Sequence, residues 1–220
     1  MAALTLVIGN HNYSSWSLRP WLLLRMHDMD FAVIRIPLDE PGTAAALAAH
    51  SPTTRVPVLL DGELVVWESL AICEHAAERA GVDGWPADPA ARAAARSWAH
   101  EMHAGFAAMR EEFPMNCRAR RRGPEPSPAA AHDIARIGDI WSDARSRFGG
   151  DGDWLCGEFG IVDAMYAPVV MRALTYGWAL PPLAAEYAHD VAACDAMQEW
   201  VAAARAEAET IEHEEVGEPC

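Results

Sequence analysis

Two short stretches combine residue types suited to holding the amino end of a peptide. In Arg55-Val56-Pro57-Val58-Leu59-Leu60-Asp61-Gly62 a proline stands at the mouth of a run of strand formers, and Trp67-Glu68-Ser69 follows soon after. Proline has no N–H to give a ladder, so Pro57 belongs at the start of a strand. The bond between Val56 and Pro57 is expected to be cis, a form that costs an X-Pro bond only about 0.5–1 kcal/mol. That geometry turns Val56 outward and offers its N–H and C=O to a peptide backbone. Glu68 supplies a carboxylate for an ammonium group. Ser69 supplies a hydroxyl, and the free amides of the helix it opens favour a carboxylate. An ordinary hairpin followed by a helix cap is the plainer reading; the two pairs at this spacing favour a peptide site.

These residues need a scaffold, and the surrounding pattern supplies one. Leu4 to Ile8 is a short apolar run with β-branched members, and Phe31 to Pro37 alternates like a strand. Between them, Trp16 to Asp28 has apolar residues at helical spacing, with Pro20 read as lying in its first turn. Pro41 to His50 is Ala-rich and helical. Val58–Leu60 and Leu64–Trp67 form a hairpin turning at Asp61-Gly62. Ser69 to Ala80 is a helix ended by Gly81. Gly81 to Pro89 is rich in turn formers and marks a boundary. Beyond it the sequence predicts helices only: Ala90 to Phe113 as one long helix, Ala129 to Phe148, Ile161 to Gly177, and one or two between Ala184 and Glu209. Arg118 to Pro128 reads as a loop, because Pro124, Pro126 and Pro128 cannot continue a helix. The acidic stretch from Glu207 to Cys220 reads as solvated and partly disordered.

Composition narrows the function classes. At 220 residues with 51% hydrophobic content, the chain can bury a substantial core, which excludes wholesale disorder. A net charge of -15 argues against nucleic acid, which needs a basic face. No apolar run reaches the length of a membrane span, and the start lacks the basic n-region of a signal peptide. Cys73, Cys117, Cys156, Cys194 and Cys220 show no paired or metal-type spacing and read as free thiols of a reducing, cytoplasmic compartment. Every one of the 17 basic residues is Arg.

The Val-Pro and Glu-Ser segment resembles the glutathione-binding half of cytosolic glutathione transferases, and the resemblance runs over nearly the whole chain. Tyr13-Ser14-Ser15-Trp16-Ser17-Leu18-Arg19-Pro20 is similar to the Ser-Ser-Cys-Ser-x-Arg signature of the serine-type, zeta-like members, with Trp16 in the Cys position. Gly157 to Pro168 is similar to the Asp-bearing motif that opens a core helix of the family's second domain. The resemblance implies a thioredoxin-like α/β domain over residues 1–80, a linker over 81–88 and an all-α domain over 89–220 with the acceptor pocket. It implies glutathione as co-substrate, a small-molecule electrophile, no metal, no nucleic acid or membrane partner, and a homodimer.

The resemblance also assigns roles. Glutathione reacts as its thiolate, and a thiol's free pKa of about 8.5 leaves little of it at neutral pH. A hydroxyl donor with a helix N-terminus favours the anion, and a fall of about two units needs roughly 2.7 kcal/mol. Ser15, four residues before Arg19, is the implied catalytic donor, and Ser14 is the second candidate. Arg55, Val56, Pro57, Glu68 and Ser69 are the implied glutathione-binding residues. The activity implied is thiolate attack on an electrophile. The alternatives are a glutathione-dependent maleylacetoacetate-type cis-trans isomerase and a non-catalytic binding module of the same fold.

Other residues carry weaker signals. Arg19 is expected to brace its helix against an acidic neighbour, or to steer an anionic peptide. Asp163 reads as half of a capping box, with Gly160 in place of the usual Ser or Thr. Trp178 and Tyr176 are candidates for the acceptor pocket. His100, Glu101 and His103 lack a third metal ligand and read as ordinary helix residues. Arg118, Arg120, Arg121 and Arg122 read as a solvated charge run, or as one that attracts acidic substrates.

Overall fold

The computed structural model describes residues 3–220. A four-stranded sheet forms the front of the chain: β1 (Leu4–Ile8), β2 (Phe31–Arg35), β3 (Val58–Asp61) and β4 (Leu64–Trp67), in the spatial order β2-β1-β3-β4. β1 runs parallel to β2 and antiparallel to β3, and β3 pairs antiparallel with β4. The hairpin turns on Gly62 and Glu63, one residue later than expected, with Gly62 in the left-handed region at φ 62. The peptide between Val56 and Pro57 is cis, as expected, immediately before β3.

Helices α1 (Ser15–Met26) and α3 (Ser69–Ala80) pack on one face of the sheet. The short α2 (Thr43–Ala48) covers the other, where Leu47 joins Val7, Ile36 and Val58. Pro20 falls in the interior of α1 rather than its first turn, so the ladder bond that residue 20 would donate to Trp16 is missing. Gly81, left-handed at φ 67, ends α3.

The rest is mainly helical: α4 (Pro89–Ala104), α5 (Ala107–Glu112), α6 (Pro128–Ala144), α7 (Ile161–Tyr176), α8 (Pro182–Ala193) and α9 (Asp195–Ala206). Nearly every residue of α7 is buried, because α1, α3, α4 and α8 surround it. Asp163 lies 1% exposed at its start and accepts from the Gly160 and Leu155 amides at 2.9 and 3.0 Å. This strand–helix domain followed by a helical part matches the expected thioredoxin-like domain followed by an all-α domain.

Two further sequence expectations fail. Residues 90–113 are not one helix: Gly105 is extended and Phe106 left-handed at φ 60, which breaks the rod into α4 and α5. A Cβ at Gly105 would stand 2.7 Å from the Glu101 carbonyl oxygen, so this break requires glycine. The acidic tail and the Arg loop are neither disordered nor free. β5 (Arg121–Arg122) pairs antiparallel with β6 (Glu218–Pro219). Glu207 accepts from the amides of His11 and Asn12 at 2.7 and 3.0 Å. Glu215 accepts from Tyr13 Oη at 2.5 Å and Asn116 at 2.9 Å, and forms an ion pair with Arg121. Arg118 donates to the Glu207 and Glu209 carbonyls. The tail holds few apolar residues, so its order comes from charge pairing that hydrophobic periodicity does not register.

Candidate functional site

The cis Val56-Pro57 bond, the start of α1 and the start of α3 converge on two adjoining clefts. One, of about 210 Å³, is lined by Arg55, Val56, Pro57, Glu68 and Ser69, with Trp16 and Trp67 as aromatic walls. The other, of about 400 Å³, is lined by Ser14, Ser15, Tyr13, Arg110, Arg172 and Glu214, among others. Trp16, Arg55 and Val56 belong to both. All seven residues singled out from the sequence therefore face one continuous depression.

Glu68 sits at φ 70, a conformation that costs a non-glycine residue about 1–3 kcal/mol. The β4 strand before it and the first turn of α3 after it hold that strain, and the carboxylate reaches into the cleft. Its Oε2 lies 3.6 Å from His103 Nε2 on α4. Ser69 is 1% exposed, and its Oγ accepts from Arg19 Nη1 at 3.3 Å. An oxygen that accepts from a guanidinium has its own proton left to donate.

Ser14 and Ser15 lie at the positive end of α1, 5% and 6% exposed. Ser14 Oγ is 2.7 Å from Ser17 Oγ, which accepts from the Gly9 amide at 3.1 Å. The Ser15 hydroxyl has no hydrogen-bond partner among the described residues and stands free to donate into the larger cleft.

Arg19 corrects the expectation of an acidic brace. It is fully buried with no carboxylate partner among the described residues, and its guanidinium lies 4.2 Å over the Trp16 ring. Its Nε and Nη2 have no hydrogen-bond partner. Burial, then the charges of Arg110 and Arg172, lower its pKa well below the ordinary guanidinium value. Burial also pushes Arg110 and Arg172 down to about 10.

Three further sequence readings change. Tyr176 and Trp178 pack with Phe113 behind the cleft instead of lining it, and Tyr176 donates to the Pro114 carbonyl at 2.8 Å. His100, Glu101 and His103 diverge: His100 faces the Arg96 carbonyl, Glu101 pairs with Arg136 at 2.8 Å, and His103 faces Glu68. Arg118 and Arg121 are spent on the tail. Sequence reasoning missed His103, Arg110, Arg172 and Glu214. They come from four separate elements, and only the i, i+3 spacing of His100 and His103 drew notice.

Residues 13–79 match the family model described as Glutathione S-transferase, N-terminal domain. No curated protein matches the chain in sequence. Among solved structures, a glutathione transferase homolog from Burkholderia gl BGR1 with bound glutathione is 23% identical, with 93% of this chain and 100% of that one covered at a TM-score of 0.68. The theta-class glutathione S-transferase from Xanthomonas axonopodis pv. citri, with glutathione bound, is 23% identical over 91% and 98% of the two chains, with a TM-score of 0.68. The tau-class enzyme from mango, Mangifera indica L., is 18% identical over 92% and 96%, with a TM-score of 0.69. The chain thus carries a glutathione S-transferase N-terminal domain within the overall fold of the glutathione transferases.

Proposed function

We propose that the chain is a serine-type glutathione transferase that activates the glutathione thiolate for attack on an electrophilic small molecule. The observation that carries this reading is the single wall of Trp16, Arg55 and Val56 shared by a peptide-sized cleft and a larger cavity beside two serines. Glutathione takes the smaller cleft. Glu68 binds its γ-glutamyl ammonium, and Ser69 with the α3 amides binds the adjoining carboxylate. The Val56 backbone pairs with the cysteinyl unit, and Arg55 meets the glycyl carboxylate. The cysteinyl sulfur then lies toward the start of α1, where Ser15 donates to the thiolate and Ser14 supports it.

Residues 1–80 supply the glutathione site, 81–88 join the two parts, and 89–220 supply most of the acceptor wall. The Tyr13 to Pro20 segment supports a zeta-like placement, and exposed Leu64 and Trp67 on the edge strand β4 support a homodimer. Free thiols at all five cysteines fit a cytoplasmic setting. Among the described residues no helix is long and apolar enough to cross a membrane, and no cluster of three or more His, Cys, Asp or Glu is placed to hold a metal.

Calorimetric titration with glutathione tests the reading. Ser69→Ala removes a hydrogen bond to a charged carboxylate, worth roughly 1.5–3 kcal/mol, so affinity should fall by about one to two orders of magnitude. Unchanged affinity in that variant rejects the assignment.

A further inference from the structure

Resting on the transferase reading, we infer that the acceptor substrate is an anion: an electrophile carrying a carboxylate, held by Arg110 and Arg172 against the face of Trp16.

The cavity is built around positive charge that the protein does not neutralise. Arg110 spends Nε on the Gly105 carbonyl at 3.0 Å and Nη2 on the Met102 carbonyl. Its Nη1 is buried without a hydrogen-bond partner. Arg172, 4% exposed, spends Nε on the Phe113 carbonyl at 2.7 Å and Nη1 on the Pro168 carbonyl at 3.3 Å. Arg110 stands 4.8 Å from the Trp16 ring and Arg19 4.2 Å, so the indole touches two guanidiniums. None of the three makes an ion pair within 4.0 Å among the described residues.

Guanidinium stays charged in proteins, and buried charges are ordinarily paired. Cation–π contact and carbonyl bonds offset only part of the desolvation here. The acids that act on the cluster are Asp133, near Arg110, and Glu214, near Arg172. Asp133 already accepts from the Met109 amide at 3.1 Å. Glu214 lines the cavity from the tail, and its carboxyl is raised by burial, so it answers Arg172 weakly. The lining carries Arg55, Arg110 and Arg172 against the carboxylate of Glu214, and with Arg55 assigned to the glycyl carboxylate of glutathione, Arg110 and Arg172 remain for the acceptor. A planar carboxylate on a flat electrophile satisfies both the guanidinium fork and the indole face.

The chemistry balances with a chloronitroarene as probe. The thiolate attacks the ring carbon bearing chlorine, a C–S bond forms, and chloride leaves with the C–Cl electron pair. The thiol proton goes to solvent.

The test compares 4-chloro-3-nitrobenzoate with its methyl ester, each rate divided by that of free glutathione with the same compound. The wild-type protein should favour the acid by about tenfold or more after this correction. Arg110→Gln should lower the acid-to-ester ratio about tenfold, and Glu214→Gln should raise it a few-fold. A preference for the ester, or a ratio unmoved by both substitutions, overturns the inference. Because Arg110 also holds the break between α4 and α5, a measurement on the wild type stands beside the variants: titration with unreactive 4-nitrobenzoate and 4-nitrobenzamide, with and without glutathione. Tighter binding of the acid is expected, and equal binding overturns the inference. Glutathione titrated into the same sample separates the two readings. No glutathione binding rejects the transferase reading, whereas glutathione binding without preference for the acid rejects only the anionic acceptor.

Discussion

The two clefts are neighbours built by opposite means. The smaller one is made almost entirely from residues 53–69, with Trp16 added, so adjacent sequence positions become adjacent wall positions. The larger one gathers the start of α1, the loop before β3, α5, α7 and the tail. Their electrostatics differ as well. In the smaller cleft the carboxylate of Glu68 faces His103, and the Ser69 hydroxyl takes a bond from Arg19. In the larger one, guanidiniums converge without carboxylates in contact. On the proposed reading, the contrast tells which half of a two-substrate site a short motif can define. A tripeptide with fixed ends needs a fixed constellation, whereas an acceptor pocket can be composed from whichever helices border it.

Ser15 lines the larger cleft next to Trp16, which both clefts share, and removing it should have the largest kinetic effect. Losing its hydrogen bond should raise the pKa of the bound thiol by about one to two units, at roughly 1.4 kcal/mol per unit. Turnover near neutral pH should fall about ten- to a hundredfold in Ser15→Ala with little change in glutathione affinity, because the hydroxyl acts on sulfur and not on the tripeptide's ends. Ultraviolet titration of the bound thiolate checks this directly. Ser14, already bonded to Ser17, should show the smaller shift as Ser14→Ala. The reverse order would move the role to Ser14.

Arg19 should reveal a conflict between stability and binding on the smaller cleft's side. An unpaired cation in the core is costly, and apolar replacement of buried ionic groups often stabilises by about 1–4 kcal/mol. The contact with Trp16 offsets up to about 2 kcal/mol of that. Arg19→Met should therefore melt at or above the wild-type temperature while binding glutathione roughly tenfold more weakly, since Ser69 loses the donor that orients it. A variant that melts lower and binds normally would make Arg19 a structural brace only.

Much of this was legible in the sequence, and the reasons are local. The order of elements along the first domain follows from short strand-like runs, a Gly turn and stretches of helical spacing. Ser69 to Ala80 matches α3 residue for residue because a Glu-Ser start and a Gly stop bound it. The smaller cleft was legible because its residues are contiguous. Three things were not. Gly105 and Phe106 look like any two residues of an amphipathic run, yet they turn the chain and place Arg110 over Trp16. Arg19 offers no sequence sign that its neighbours lack acids. The tail reads as solvated because its anchors are hydrogen bonds and ion pairs to residues about a hundred or more positions away.

That tail borders the larger cleft alone, so loosening it should distinguish the two regions by stability. Glu215 accepts from Tyr13 and Asn116 and pairs with Arg121, and losing a partly buried hub of this kind leaves donors unsatisfied. Glu215→Ala should cost about 1–3 kcal/mol locally, read as faster hydrogen exchange over residues 207–220. Glutathione affinity should remain, because no tail residue lines the smaller cleft. Equal loss of protection throughout the chain would mean that the tail is part of the global fold and not a strap over one cleft.

The smallest effect concerns His103 and the acid limb of glutathione binding. His103 lies edge-on to Trp16 with ring centroids 5.4 Å apart, and its Nε2 is 3.6 Å from Glu68. Its pKa is lowered first by burial, then by Arg19; Glu68 raises it, and Arg110 and His100 add further lowering. Folding thus holds the ring below its ordinary value of 6.5, and the unfolded chain binds more protons across that window. Stability contributed by the neutral ring is present above 6.5 and is lost as pH falls through the lower, folded value. Binding follows the same sign. A protonated His103 competes with the glutathione ammonium for Glu68, so affinity should weaken a few-fold as pH drops from about 7 to 5.5, within the His titration range. His103→Gln should flatten that dependence while keeping the affinity at pH 7 within a few-fold. Calorimetric titrations across this range decide it: an acid limb that persists in the variant assigns the proton to another group.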